Sequence, residues 1–250
     1  MRSSKHYFFN LKEENKKIKM ITAYDYSQAK IAESAEVDSL LVGDSLANVV
    51  LGYNKTTDIG MDEMLIFVKA VSRGSHKAHI LADMPWKSDH NVEKSVLNAK
   101  AFITAGAHSV KVEGDKYAQI EAIISAGVAV VGHLGLTPQT ARSLKKVGTE
   151  PEEADRIFIA AKHLESLGVS AIVVEHIPAE LGERLATELK TPIIGIGAGK
   201  KVDGQVMVFH DALGLFEGDA PPIAKKFTNL FKEAVGGLKR YNEWTEKEEF

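Results

Sequence analysis

The sequence predicts an α/β fold, a (β/α)8 TIM barrel, on three observations. Eight short apolar runs recur along the chain, segments of helical spacing separate them, and 250 residues is a usual length for one such barrel. Strand and helix in alternation make a parallel sheet, and eight repeats of this length close it. The rival is an open doubly wound sheet, but no Gly-x-Gly-x-x-Gly opens the first helix. Residues 1–250 read as one barrel domain, with a short polar N-terminal segment and a charged C-terminal tail.

The first strand covers Ile18 to Tyr24, with Met20, Ile21 and Ala23 buried, and a helix carrying Ala29, Ile31, Ala32 and Ala35 follows. The second, Ser39 to Gly43, contains Leu40-Leu41-Val42, apolar on both faces as a barrel strand must be. Leu46 to Gly60 is longer than an ordinary connection and has the character of a lid. Met61, Met64, Leu65, Val68 and Val71 set a helix, and Ile80-Leu81-Ala82 forms the third strand. Val92, Val96, Ala99 and Ile103 mark the next helix, and Val110 to Gly114 the fourth strand. Tyr117 to Ser125 is helical, and Val128 to Val131 is the fifth strand. A helix from Pro151 stops at Gly168. Ala171 to Val174, Pro192 to Ile196 and Val206 to Phe209 complete the strands, with a helix over Ala179 to Leu189 between the first two. Pro221 and Pro222 precede a last helix over Ile223 to Leu238, and Arg240 to Phe250 is a tail expected to fray.

The chain is 44% hydrophobic and 26% charged, with a net charge of -3. Such a balance gives no reason to expect nucleic acid or an anionic membrane as partner. There is no cysteine, so any metal takes oxygen or nitrogen ligands. No apolar run reaches the roughly 18 residues that cross a bilayer, and Met1 to Met20 lacks the apolar core of a signal peptide. Cytoplasm is the expected location.

Polar residues stand where the strands end: Asp44 and Ser45, Asp83, Lys111 and Glu113, His133, Glu175, and His210 with Asp211. Strand ends of one polarity form the active rim of such barrels, so residues far apart in sequence would converge. Asp44 and Asp83 leave neighbouring strands. Two hard carboxylates without thiolates favour Mg2+ or a similar octahedral ion, with positions open to water and substrate oxygens. Glu113 would bind directly or through water. Lys111 shares a strand face with Glu113; it would hold a carboxylate or keto oxygen, form a Schiff base, or pair with Glu113 or Asp83. His133 is open to a structural or a functional role. Glu175, after four apolar residues, suits a general base for a weak carbon acid. Gly195-Ile196-Gly197-Ala198-Gly199 permits close backbone approach to a ligand. A cation polarising an α-keto acid and a carboxylate removing its proton would give a metal-stabilised enolate, ready for aldol-type addition.

Val42-Gly43-Asp44-Ser45-Leu46, Leu81-Ala82-Asp83-Met84-Pro85, Val110-Lys111-Val112-Glu113-Gly114, Gly132-His133-Leu134-Gly135-Leu136-Thr137-Pro138-Gln139 and Ile194 to Gly199 resemble the 3-methyl-2-oxobutanoate (ketopantoate) hydroxymethyltransferase family over about Lys19 to Leu215. The resemblance implies a (β/α)8 barrel. Its reaction moves a hydroxymethyl group from the co-substrate 5,10-methylenetetrahydrofolate, a folate, to 3-methyl-2-oxobutanoate. The product is 2-dehydropantoate, in the first step of the pantoate branch of pantothenate biosynthesis. It implies that Asp44 and Asp83 hold Mg2+ with Glu113 in the metal shell. It also implies that Ser45 and Lys111 bind the keto acid beside Asp44, Asp83 and His133, and that Glu175 accepts the proton. It further implies a homo-oligomer, commonly a decamer. Three features depart from the family pattern: Ala47-Asn48 after Asp-Ser-Leu, a short loop between Gln139 and Glu152, and His176 beside the proposed base. Two other readings stay open on the residues: a metal-dependent C–C lyase or phosphonomutase acting on small keto acids, and an inactive barrel kept as a scaffold.

Overall fold

A computed structural model of the protein describes residues 6–141, 143–218 and 223–247. They fall into two compact units, 1–206 and 207–250. The first is built on parallel strands β1 (Ile18–Thr22), β2 (Ser39–Val42), β3 (His79–Asp83), β4 (Ser109–Glu113), β5 (Ala129–Gly135), β6 (Ala171–Glu175), β7 (Ile193–Ile196) and β8 (Gly204–Met207), which close into a barrel in chain order. The predicted fold class is the observed one.

Helices α1 (Tyr7–Glu13), α2 (Tyr26–Ser34), α3 (Leu46–Val49), α4 (Met61–Gly74), α5 (Val92–Thr104), α6 (Tyr117–Ser125), α7 (Pro151–Leu167) and α8 (Ala179–Glu188) belong to this unit. Their ends follow local chemistry. The Asp25 carboxylate accepts the Gln28 N–H at the start of α2, and Asn91 accepts that of Lys94 at the start of α5. Pro151 opens α7, and Gly168 ends it in the left-handed region at φ 82°. The long segment after β2 holds α3 and a 3-10 turn, Thr56–Asp58.

Apolar side chains form two layers. Leu40, Val42, Ile80, Ala82, Val110, Val112, Val130, Ile172 and Val174 face outward and pack with helix residues such as Met64, Val68, Phe102, Ile120 and Leu164. Leu41, Leu81, Val131, Ala171, Val173, Ile194 and Val206 fill the barrel with Phe8, Ile18 and Met20. Phe8 is the departure from the sequence reading. Met1 to Met20 reads as polar, yet α1 carries Phe8 into the barrel interior with no exposed surface. The Lys12 ammonium fastens α1 by donating to the Ala186 and Leu189 carbonyls, at 3.0 and 2.9 Å, and to Asp203 Oδ2 at 2.8 Å. A cation among the last carbonyls of α8 also suits the negative end of that helix.

The second unit contains α9 (Phe209–Leu213) and α10 (Leu230–Glu246). Three expectations change here. The last strand is Gly204–Met207 rather than Val206 to Phe209, so His210 and Asp211 lie on a helix and not at a strand end. The last helix begins at Leu230, not Ile223, because Asn229 caps it by accepting the Lys232 N–H. It runs on through Glu246, where fraying was expected. Pro221 and Pro222 lie outside the described residues. Among the described residues no helix is long and apolar enough to cross a membrane.

Candidate active site

The strand register assembles the polar rim. In parallel pairing, Asp83 lies beside Lys111, Glu113 beside His133, and Gly135 beside Glu175. The two-residue period of a strand does the rest. The inward face of β3 runs from Leu81 to Asp83, that of β5 from Val131 to His133, and that of β6 from Ala171 through Val173 to Glu175. On β4 the same face carries Lys111 and Glu113. Each apolar interior layer is therefore succeeded, one step toward the strand end, by a charged one.

Lys111 Nζ stands 2.9 Å from Asp83 Oδ1, with both side chains buried. Of the partners considered for Lys111, the structure selects Asp83. The other Asp83 oxygen accepts the Asp44 N–H at 3.2 Å. Asp44, on the turn leaving β2, accepts from Gln139 Nε2 at 2.9 Å through its Oδ2. Glu113 Oε1 accepts the Gln139 N–H at 2.8 Å, and its Oε2 lies 3.2 Å from His133 Nδ1. On the far side of the imidazole, His133 Nε2 is 3.3 Å from Glu175 Oε2. Ser45 Oγ shares a 2.8 Å hydrogen bond with the Tyr24 hydroxyl.

Burial sets the charge state of this cluster. It pushes the Asp44 carboxyl up, to about 8, and the adjacent Asp83 charge adds to the effect. Asp83 is raised by burial as well. Burial opposes the Lys111 ammonium, but Asp83, Asp44 and Glu113 outweigh it and raise its pKa. Burial and Lys111 also oppose a charged His133, yet Glu113 and Glu175 prevail and lift it to about 9. With His133 protonated, Nδ1–H donates to Glu113. The 3.2 Å approach of Lys111 Nζ to the same nitrogen is then a contact of like charges rather than a hydrogen bond. Glu113 is held low because His133 offsets its burial.

Four carboxylates, Asp44, Asp83, Glu113 and Glu175, thus surround two cations, Lys111 and His133. The shortfall of positive charge falls at Asp44 and Asp83, where the pKa values are raised. Among the described residues no three His, Asp or Glu side chains are gathered as a metal cage. The donor set fits a hard divalent ion held by two carboxylates, which is how Mg2+ is commonly held, its other positions going to water and substrate. Asp44 and Asp83 are the carboxylates that could hold such an ion. Glu113 is engaged by His133 and by the Gln139 N–H, so a contact from it to such an ion would run through water.

Glu175 differs from the others in exposure: its side chain is 16% accessible, against 5% or less for Asp83, Lys111, Glu113 and His133. Of the four carboxylates, this one is open to a ligand from solvent. Its backbone is fixed on both sides. The Glu175 carbonyl accepts the Leu136 N–H at 2.8 Å, and the next residue, His176, takes a left-handed φ of 49° while donating its N–H to the Ile196 carbonyl. The short loop after Gln139 closes against the same point, Val147 N–H donating to the His176 carbonyl. The Gly197 to Gly199 turn has φ of 62° and 85° at its two outer glycines.

All the residues read from strand ends between Asp44 and Glu175 come together here. His210 and Asp211 belong to the other unit. Gln139 is the residue that the reading quoted in a motif but gave no task. It touches Asp44, Glu113 and the Met84 carbonyl, and nothing local in sequence marks a loop glutamine for that; its place after Pro138 in the histidine-containing block was the only signal.

A family model described as ketopantoate hydroxymethyltransferase matches residues 2–250. The chain is 46% identical to the 3-methyl-2-oxobutanoate hydroxymethyltransferase of Caldicellulosiruptor bescii, over 97% of this chain and 94% of that one. It is 45% identical to the enzyme of the same name from Thermoanaerobacter pseudethanolicus, over 92% and 86% of the two chains, and 42% identical to one from Bacillus cereus, over 94% and 87%. Among solved structures it resembles a phosphonopyruvate hydrolase in complex with oxalate and Mg2+, with TM-score 0.66 and 12% identity, over 98% of this chain and 88% of that one. A 2,3-dimethylmalate lyase of the PEP mutase/isocitrate lyase superfamily gives TM-score 0.64 and 14% identity, over 100% and 90%. At such identities the likeness concerns the fold. The family model and the 42–46% identities decide the matter at the level of sequence: this chain belongs to the ketopantoate hydroxymethyltransferase family and is a transferase enzyme.

Proposed function

We propose that this enzyme transfers a hydroxymethyl group from 5,10-methylenetetrahydrofolate to 3-methyl-2-oxobutanoate, giving 2-dehydropantoate for pantothenate biosynthesis. The observation that carries the reading is the division of the rim. A buried Asp44–Asp83–Lys111 group lies on one side, and the accessible Glu175 carboxylate lies on the other, behind His133. A small keto acid has an anionic head and an acidic carbon, and these two sides suit them separately.

Asp44 and Asp83 would hold Mg2+, with Glu113 acting through water. When bound, the ion supplies positive charge beside the oxygens of the keto acid, which makes its C3 proton more acidic. The Lys111 ammonium orients the carboxylate or keto oxygen, and Ser45, held by Tyr24, offers a hydroxyl. Glu175 takes the C3 proton, and His133, between Glu113 and Glu175, fixes the orientation of that base and offsets its negative charge. Both carbon–nitrogen bonds of the folate methylene carbon break: the enolate carbon replaces one and a water oxygen replaces the other, and the two freed nitrogens of tetrahydrofolate take up one proton from that water and the one held by Glu175. The same proposal makes the protein a cytoplasmic homo-oligomer, a decamer in keeping with the family resemblance.

The test is proton NMR of 3-methyl-2-oxobutanoate in D2O with the purified enzyme, with and without Mg2+, tetrahydrofolate and formaldehyde being added last. Mg2+-dependent loss of the C3 proton signal, followed by formation of 2-dehydropantoate, is expected. Glu175→Gln should lower the exchange rate by about 10²- to 10⁴-fold, the usual worth of a general base, while leaving Mg2+ binding intact. Normal exchange in that variant would remove Glu175 from the mechanism. No exchange in the wild type would point to another substrate.

A further inference from the structure

Gln139 is anchored three times. Its backbone N–H donates to Glu113 Oε1 at 2.8 Å, and its side-chain Nε2 donates to Asp44 Oδ2 at 2.9 Å and to the Met84 carbonyl at 3.0 Å. Both side-chain acceptors are oxygens, so the amide has one permissible orientation: the reverse would turn its own oxygen toward a carboxylate and a carbonyl. The residue is 6% exposed, and among the described residues its Oε1 is buried without a hydrogen-bond partner. The side-chain amide satisfies two buried acceptors, one of which is the Asp44 carboxylate.

We infer that Gln139 is a positioning residue for the divalent-cation site, holding Asp44 by its Oδ2 so that Oδ1 is the oxygen presented to the ion. This rests on the reading of Asp44 and Asp83 as cation ligands. A carboxylate on a turn swings about its terminal torsion, and a fixed donor on one oxygen removes that freedom before the ion arrives. The arrangement also joins elements distant in sequence. Gln139 lies on the loop after β5, Asp44 after β2 and Met84 after β3, so the loop is tied to the cation ligand itself. Replacing the side chain leaves the backbone bond to Glu113 in place, which separates the anchoring of the loop from the aiming of Asp44.

The test compares the wild type with Gln139→Met, and with Gln139→Ala in case the first fails to fold. Mn2+ binding is read by electron paramagnetic resonance and Mg2+ binding by calorimetry, neither of which depends on turnover. The expected result is cation affinity weakened about 10- to 100-fold, as for the loss of a partner that orients a metal ligand. The metal-free unfolding temperature should fall only modestly, by what the Met84 carbonyl and Asp44 Oδ2 lose with their donor, and saturating Mg2+ should restore C3 proton exchange. Affinity within threefold of the wild type would overturn the inference, as would tighter binding, which would mean that the amide competes with the ion. Exchange still impaired at saturating Mg2+ would also overturn it. If the wild type and Asp44→Asn both fail to bind Mn2+ or Mg2+, the underlying assignment of the cation ligands is what fails.

Discussion

Gly135 and Glu175 are paired across β5 and β6, and the backbone of one leaves no room for a side chain on the other. A β-carbon on Gly135 would stand 2.4 Å from the Glu175 carbonyl oxygen and 3.1 Å from its amide nitrogen, and Gly135 has a φ of 89° that other residues rarely adopt. Gly135→Ala should therefore displace the proposed base. A displacement of about 1 Å costs on the order of 10²-fold in rate, so C3 proton exchange should fall by that order while cation binding stays near normal. Exchange within twofold of the wild type would show that the close approach does not position Glu175.

The Lys111–Asp83 pair should reveal itself by non-additivity. Removing one member of a buried ion pair strands the other and costs about 3–5 kcal/mol. Lys111→Met should destabilise the metal-free protein by about that amount in urea unfolding, and Asp83→Asn by a comparable amount. The double variant should be less destabilised than the two singles predict, because no unpaired charge remains. Additive losses would mean that the 2.9 Å contact contributes no coupling.

The pH dependence of stability follows from opposite shifts at opposite ends of the barrel. His133 has its folded pKa raised to about 9, so its contribution is complete below its unfolded value of 6.5 and is lost as pH rises through 9. Asp44, raised from 3.8 to about 8, works in the same direction: the folded state keeps a proton that the unfolded chain gives up. Metal-free enzyme should therefore lose stability as pH rises, Asp44 contributing from 3.8 through about 8 and His133 from 6.5 through about 9. The loss should amount to several kcal/mol, on the order of 3 kcal/mol of it from His133, and be smaller in His133→Gln. His79 behaves inversely. Buried beside Tyr7 and Phe8, and facing His108, it is pushed down to about 3, so its contribution is present above 6.5 and lost as pH falls toward 3. The other polar contact on this ring is the Ser109 hydroxyl, 2.7 Å from Nε2. His79→Gln should flatten the acid limb. Urea unfolding at several pH values measures both limbs, and a profile unchanged by either substitution would refute the assignment.

Phe8 closes the opposite end of the barrel from the rim. It has no exposed surface and lies with Ile18, Met20, Leu41 and Leu81 in the interior layer. Phe8→Ala should cost about 3–5 kcal/mol, the range for truncating a buried phenylalanine. Differential scanning calorimetry would register this as a lowered midpoint, and proteolysis should cut first near α1. A change under 1 kcal/mol would mean that α1 is an appendage.

The barrel was legible because its evidence is local and periodic. Leu40-Leu41-Val42 can be little else than a strand covered on both faces, and the run from Tyr117 to Ser125 was read as the helix it is. The polar rim was legible for a related reason. A carboxylate after an apolar strand must leave the core, and in a parallel barrel all such exits lie at one end, so Asp44, Asp83, Lys111, Glu113, His133 and Glu175 could be gathered without knowing any distance.

Where the periodic signal is weak, the reading failed. Phe8 sits in a polar stretch with one-sided burial too short to show a pattern. The last strand, with Gln205 exposed between Gly204 and Val206, lacks the apolar run that marked the others. His210 was consequently read at a strand end, whereas it lies on α9.

By itself, then, the sequence determined the eight repeats, the end at which polar groups emerge, and which residue types meet there, since these follow from apolar period and solvation. Only the tertiary structure decided who pairs with whom. Lys111 takes Asp83 rather than Glu113 because the β3–β4 register sets those two side by side, and His133 takes Glu113 on the next strand by the same rule. Gln139 reaches Asp44, 95 residues away in the chain, because the loop after β5 folds back across the strand ends. Register and loop path are set by the packing of the whole barrel, and no window of sequence contains them.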